Sequence, residues 1–340
     1  MKEISVLGID LAKNIFQLHG ADQSGAAVLK KKLNRSQLTL FMANLPQCKV
    51  AMEACGGAHF WGRKFQSMGH EVKLIAPQFV KPFVKSNKND AHDAEAIAEA
   101  ATRPNMRFVP IKSVSQQDVL CLHRVRERLV TGRTALVNEI RGLLHEYGIV
   151  IPQGISNLRS ELPGIIEQDE TSLSDQGRQL FTSLYEELCD SDEKIKIYDT
   201  QIEARSKASV DCQKIMKIPG VGPLTATAIV ASVADANAFK NGRQMSAWLG
   251  LVPRQSSSGG KEKLLGISKR GDSYVRKLLI HGARAVLLRV KTSEADDHKT
   301  KWLQELIERR GFNKACVALA NKNTRVIWKL LASDEAYRAS

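Results

Sequence analysis

The first hundred residues place short apolar runs and helix-forming segments in one order, and that order narrows the fold more than any other feature. Residues 4–10, 15–21 and 26–33 read as three strands, with Ser24-Gly25 marking the second turn. Residues 36–45 have the spacing of an amphipathic helix, 49–53 read as a fourth strand, and 58–68 as another helix. A fifth strand at 71–76 is stopped by Pro77. A last helix opens in Lys88-Asn89-Asp90-Ala91-His92-Asp93-Ala94-Glu95-Ala96-Ile97-Ala98-Glu99, because alanine and glutamate favour helix and Asn89 can cap it. The order βββαβαβα predicts an α/β unit, a mixed sheet with helices packed on it.

Acids sit at chosen places in that order. Asp10 and Glu53 each end a short apolar strand, in Leu7-Gly8-Ile9-Asp10-Leu11 and Val50-Ala51-Met52-Glu53-Ala54. Asp90 and Asp93 are three apart, so they share a helical face. Carboxylates held that close repel unless a cation sits between them, and hard divalent ions such as Mg²⁺ take carboxylate oxygens. Singly, an aspartate after a strand is a turn former and one near a helix start is a cap. Together, Asp10, Glu53, Asp90 and Asp93 are what an RNase H-like nuclease core would need. Gly8-Ile9-Asp10 also opens sugar-kinase-like ATPases, but Gly56-Gly57 is a poor second phosphate loop.

Charge narrows the partner. A net +14 over 340 residues, with 43% hydrophobic residues, predicts two or three domains with ample core and a polyanionic partner, most plausibly nucleic acid. The six cysteines (48, 55, 121, 189, 212 and 316) have no paired spacing, which predicts free thiols in a reducing cytosol rather than a zinc site. The start lacks a signal-peptide pattern, and no apolar stretch approaches the roughly 18 residues that span a membrane. A cytoplasmic protein is expected.

Pro104 to Pro110 reads as a linker. From 115 to 147 the chain is helical, with Leu122, Leu129, Leu136 and Leu143 seven residues apart, a spacing for a packed helical hairpin or an intermolecular coiled coil. Arg124, Arg126, Arg128, Arg133 and Arg141 form either a solvated face or a nucleic-acid contact. Pro152, Gly154, Pro163 and Gly164 are expected to interrupt helices before a second long one at 174–204. Ile218-Pro219-Gly220-Val221-Gly222-Pro223 has the form of a helix-hairpin-helix turn, in which Gly220 and Gly222 let the backbone approach a phosphate; the alternative is a plain turn between core helices. Ser256-Ser257-Ser258-Gly259-Gly260-Lys261 would ordinarily be a flexible linker. From Arg254 to Arg289 inclusive, however, stand nine Lys or Arg and only two acids, Glu262 and Asp272. A serine on a mobile loop among Arg254, Lys261, Lys263, Lys269, Arg270, Arg276 and Lys277 could attack a DNA phosphate, since those cations would stabilise the developing charge.

These motifs converge. Gly8-Ile9-Asp10-Leu11-Ala12-Lys13, Glu53-Ala54-Cys55-Gly56-Gly57, Asn89-Asp90-Ala91-His92-Asp93-Ala94-Glu95, Pro219-Gly220-Val221-Gly222 and Ser258-Gly259-Gly260-Lys261, with Ile267-Ser268-Lys269-Arg270-Gly271, resemble the DEDD transposases of bacterial insertion sequences, the group that takes in the Piv and MooV invertases. The resemblance spans nearly the whole chain. It implies a RuvC-like RNase H domain at 1–104, a helical coiled-coil region at 105–205, and a mainly α transposase domain with a helix-hairpin-helix at 206–340. Asp10, Glu53, Asp90 and Asp93 match the family's four Mg²⁺-binding acids. A serine matching Ser258 forms a covalent phosphoserine link to DNA, and Ser258, directly before Gly259, fits best among three adjoining serines. Members resembling this chain use a structured bridge RNA whose loops pair with target and donor DNA. They assemble as dimers and tetramers, building each active site from two subunits. The alternative is a Mg²⁺-dependent, junction-resolving DNA nuclease with no covalent intermediate.

Overall fold

A computed structural model describes residues 3–84, 90–168, 172–258, 261–294 and 297–338, and for residues 90, 91, 258, 261 and 262 the backbone alone. The chain divides into two compact units, residues 1–116 with 233–240, and residues 117–232 with 241–340.

The first unit is built on a six-stranded sheet. Its strands are β1 (Val6–Leu11), β2 (Ile15–Ala21), β3 (Ala27–Asn34), β4 (Lys49–Glu53), β5 (Glu71–Ile75) and β6 (Phe108–Val109). They lie in the order β3-β2-β1-β4-β5-β6. β4 runs parallel to both β1 and β5, and the other pairings are antiparallel. The mixed sheet with helices packed on it follows the expectation. Two-residue β6 does not: it lies within the stretch read as a linker, where Phe108 pairs with Ile75 and Val109 with Leu74.

Four helices attend this sheet: α1 (Arg35–Asn44), α2 (Ala58–Gln66), the short α3 (Pro77–Val80) and α4 (Asp90–Ala101). Asn34 caps α1 through a reciprocal box, its side chain accepting from the Gln37 amide at 2.9 Å while Gln37 accepts from the Asn34 amide at 3.0 Å. Because side chains alternate across a strand, the sheet has two apolar faces. Leu7, Ile9, Val50, Met52 and Leu74 pack with Leu38 and Met42 of α1 and Trp61 and Phe65 of α2. Val6, Ala51 and Ile75 pack on the other side with Ala96, Ile97 and Ala98 of α4.

The second unit is mainly helical. Most of α5 (Val114–Glu146) lies in it, with α6 (Ile155–Glu167) and α7 (Asp175–Ala208). Arg126 pairs with Asp199 at 2.5 Å and Arg133 with Asp192 at 2.7 Å, so α5 and α7 run antiparallel. Leu136, Val137, Ile140 and Leu144 of α5 form a core with Leu158 and Leu162 of α6 and Phe181 and Leu188 of α7. Leu143, the last of the seven-residue series, is 37% exposed. A straight helix drifts against a seven-residue repeat, which moves the buried stripe to Ile140 and Leu144. Pro163 and Gly164 do not interrupt the chain as expected; they lie inside α6. Burial of Leu158 and Leu162 outweighs the roughly 3 kcal/mol that an interior proline costs.

The rest comprises α8 (Val210–Met216), α9 (Pro223–Val233), α10 (Gly242–Trp248), a hairpin of β7 (Pro253–Ser258) and β8 (Lys261–Ile267), α11 (Ser273–Lys291), α12 (His298–Arg310) and α13 (Phe312–Leu331). α13 is the hub: Ala315, Cys316, Leu319, Ala320 and Ile327 are buried on it. Among the described residues no helix is long and apolar enough to cross a membrane. All six cysteines are free.

Candidate active site

Register brings two acids together. Ile9 of β1 pairs with Met52 of parallel β4, so Asp10 and Glu53 occupy the next positions at the carboxyl ends of neighbouring strands. Asp10 shares its strand face with Gly8, and Glu53 with Ala51, which packs against α4. A Cβ on Gly8 would stand 2.2 Å from the Ala94 carbonyl oxygen and 2.7 Å from the Ala98 amide. Only glycine lets α4 cross β1 there, and the crossing delivers Asp93, the residue before Ala94, to the same edge.

Electrostatics agree with that placement. Asp10, Glu53 and Asp93 are all half-buried. Burial, then the negative charge of Asp93, holds the Glu53 carboxyl above its ordinary range. Burial, then Glu53 and Asp10, pushes up the neighbouring Cys55 thiol. The side chain of Asp90 lies outside the described residues, as does Asn89. Among the described residues, no group of three or more His, Cys, Asp and Glu side chains meets the requirements of a metal site. The donor chemistry nonetheless suits a hard divalent ion: carboxylates that repel in partial burial, beside a thiol kept protonated.

A cavity of about 420 Å³ adjoins the acids, bordered by Leu11, Lys13, Arg35, Cys55, Gly57 and Trp61. Arg35 donates to the Lys13 carbonyl at 3.0 Å and lies 5.0 Å from the centre of the Trp61 ring. Arg35 was not singled out in the sequence. Its only signal there is its position directly after the Asn34 cap.

The serines lie on a hairpin, not in a mobile linker. Backbone register sets Ser256 opposite Lys263, Ser257 opposite Glu262 and Ser258 opposite Lys261. Two glycines between two strand-length runs were the overlooked hairpin signal. The base of the hairpin is fastened, with Ser268 N–H donating to Val252 O at 2.8 Å and Lys269 N–H to Gly250 O at 3.1 Å. Arg276 spans that base, donating to the Leu249 and Arg270 carbonyls at 3.0 Å each. Lys277 pairs with Glu127. Arg254, Lys263, Lys269 and Arg270 are exposed. The side chains of Ser258 and Lys261, and Gly259-Gly260 altogether, lie outside the described residues.

The glycine turn joins α8 to α9. Gly220 has φ +87°, and a Cβ on it would meet the Gly282 carbonyl of α11 at 2.7 Å, so this glycine serves packing. Gly222 has nothing within 4 Å of its Cβ position and leaves open approach to the backbone. Asn323, 4% exposed, donates to the Pro219 carbonyl at 3.0 Å and steadies the turn.

One polar hub had no sequence signal. His123 of α5 is 1% exposed, with Nδ1 2.9 Å from the Tyr274 hydroxyl of α11 and Nε2 3.0 Å from Thr227 Oγ1 of α9. It ties three helices together.

Residues 7–149 match a family model described as transposase, and residues 212–299 match the transposase IS116/IS110/IS902 family. The chain is 53% identical over 338 residues to the transposase for insertion sequence element IS1111A of Coxiella burnetii, covering 99% of this chain and 92% of that one. It is 48% identical to a probable family 20 transposase of Pseudomonas aeruginosa, over 98% of this chain and 99% of that one. It is 40% identical to the transposase for insertion sequence element IS1328 of Yersinia enterocolitica, over 96% and 97% of the two chains. Acids gathered at the edge of a mixed sheet, the two family matches and near-full-length kinship lead to one conclusion: the chain belongs to the IS110-family DEDD transposases, enzymes that cut and rejoin DNA to move an insertion sequence.

Proposed function

We propose that this transposase exchanges strands through a serine–DNA link, in a RuvC-like, RNase H-type domain and a serine-bearing domain joined by a helical region. Asp10, Glu53, Asp90 and Asp93 would hold Mg²⁺. The ion, when bound, would polarise the scissile phosphate. The Ser258 oxygen attacks phosphorus, the bond to the 3′ oxygen breaks, and the proton lost by serine is balanced by the one that 3′ oxygen takes up. A 3′-hydroxyl on the partner strand later reverses the link. Arg254, Lys261, Lys263, Lys269 and Arg270 hold backbone phosphates, with Arg276 and Lys277 supporting the same surface, and Gly220-Val221-Gly222 serves as a helix-hairpin-helix grip. Sequence choice comes from a structured bridge RNA paired to donor and target. The enzyme works in the cytoplasm as a homo-oligomer.

The observation that carries this reading is the convergence of Asp10 and Glu53 with α4, where Glu53 feels the charge of Asp93. Incubating the protein with Mg²⁺, RNA from the element's flank and labelled junction DNA tests it on a denaturing protein gel. Label at the protein's mass that disappears in Ser258→Ala supports the serine link. Cut DNA with no label on protein would make this a hydrolytic nuclease.

A further inference from the structure

A second cavity, of about 660 Å³, opens in the helical unit among α12, α13 and the chain that follows α13. Lys299, Lys322, Arg325, Lys329 and Arg338 line it against one carboxylate, Glu335. That carboxylate sits 2.7 Å from Lys329 and is exposed, so an incoming anion can displace it. Apart from Asn323, the remaining lining is apolar or aromatic: Ile218, Val326, Leu330, Ala336 and the Tyr337 ring. Lys299 reaches the Tyr337 hydroxyl at 3.4 Å, and the Lys322 ammonium stands 4.4 Å from the centre of the neighbouring Trp302 ring.

Cations beside an apolar, aromatic lining match the two halves of a nucleotide, a phosphate and a base face. A small inorganic or carboxylate anion would use the cations and leave the apolar lining idle. The volume falls within the range of sites for single small ligands, roughly 300–1,000 Å³, so it takes one nucleotide and not a length of duplex. The cavity also adjoins the glycine turn. Ile218 leads directly into it, and Asn323, which lines the cavity, holds the Pro219 carbonyl.

We infer that this cleft captures one unstacked nucleotide of a bound strand, its phosphate on Arg325 and Lys329 and its base against Tyr337. The strand is DNA or RNA, since both offer the same chemistry, and extrusion is least costly at unpaired positions. Capture beside the turn would hold a strand at a fixed register on this unit.

The test uses the full-length protein with short single strands carrying 4-thiothymidine in DNA or 4-thiouridine in RNA. Photocrosslinked peptides are mapped by mass spectrometry and affinities measured by fluorescence anisotropy. A crosslink at Tyr337 is expected, and the arm that gives it names the strand. Tyr337→Ala should weaken binding about tenfold, while Tyr337→Phe should stay within about twofold of the parent. Because Arg325 and Lys329 are exposed, Arg325→Glu with Lys329→Glu should keep the melting temperature yet lose about tenfold in affinity and flatten the salt dependence. Crosslinks confined to residues outside the cleft in both arms, or parental affinity of these variants for both probes, would overturn the inference.

Discussion

Replacing His123 by phenylalanine should remove a pH dependence of stability as well as two hydrogen bonds. Thr227 gives its proton to the Pro223 carbonyl at 2.8 Å, so its oxygen accepts from His123 Nε2–H, which leaves Nδ1 to accept from the Tyr274 hydroxyl. The imidazole is therefore held neutral. Burial first, then Arg126, lowers its pKa from 6.5 to about 4, with Asp272 opposing. Burial chiefly pushes Tyr274 up to about 12, so it stays protonated as the donor. In the unfolded chain His123 takes up a proton near 6.5, and in the fold only near 4. Stability is therefore present above pH 6.5 and is lost as pH falls toward 4, saturating at about 3 kcal/mol. Hydrogen exchange of α5, α9 and α11 peptides, corrected for intrinsic rates, reads this locally in a chain of two units. At neutral pH His123→Phe should lower protection by about 1–3 kcal/mol through the partners left unpaired. Between neutral pH and pH 4 the parent should lose about 3 kcal/mol more than the variant. Equal losses in the two proteins would refute the neutral, fully engaged imidazole.

Three further outcomes follow from close contacts and charge. Gly220→Ala forces φ +87° on an alanine and drives its Cβ toward the Gly282 carbonyl, so the melting temperature should fall, with a cost of about 2 kcal/mol or more in chemical denaturation. Gly8→Ala should displace α4 and with it Asp93; gel-shift affinity for DNA should survive while single-turnover cleavage drops about a hundredfold. Asp10→Asn should leave DNA affinity unchanged and abolish cleavage across a titration of Mg²⁺ or Mn²⁺, whereas cleavage restored by high metal would argue against a direct ligand role.

The sheet was legible because its strands carry strong local signals: short apolar runs in β1 and β4, and Pro77 just past the end of β5. Asp10 and Glu53 could be placed because strand ends can be read from composition. Other features depend on partners far along the chain. β6 has two residues, too few for any period, and exists only because β5 offers an edge. His123 finds Thr227 and Tyr274 at separations of 104 and 151 residues, which no spacing rule spans. The packing of Gly220 against Gly282 was not legible, because a turn glycine has the same local signature whether or not a helix lies against it. Arg126 and Arg133 read as a basic face, and only the antiparallel approach of α7 reveals Asp199 and Asp192 opposite them. In the serine segment local propensity misled, since polar, glycine-containing strands look like a linker until both are seen paired.

The most direct test of the serine chemistry is to map the protein–DNA adduct. Trapped complexes would be digested with nuclease and trypsin, and the peptide from Gln255 to Lys261 sequenced by mass spectrometry. This account predicts a nucleotide remnant on Ser258, absent in Asp10→Asn and in Ser258→Ala. A remnant on another residue, or cleavage with none on this peptide, would contradict it.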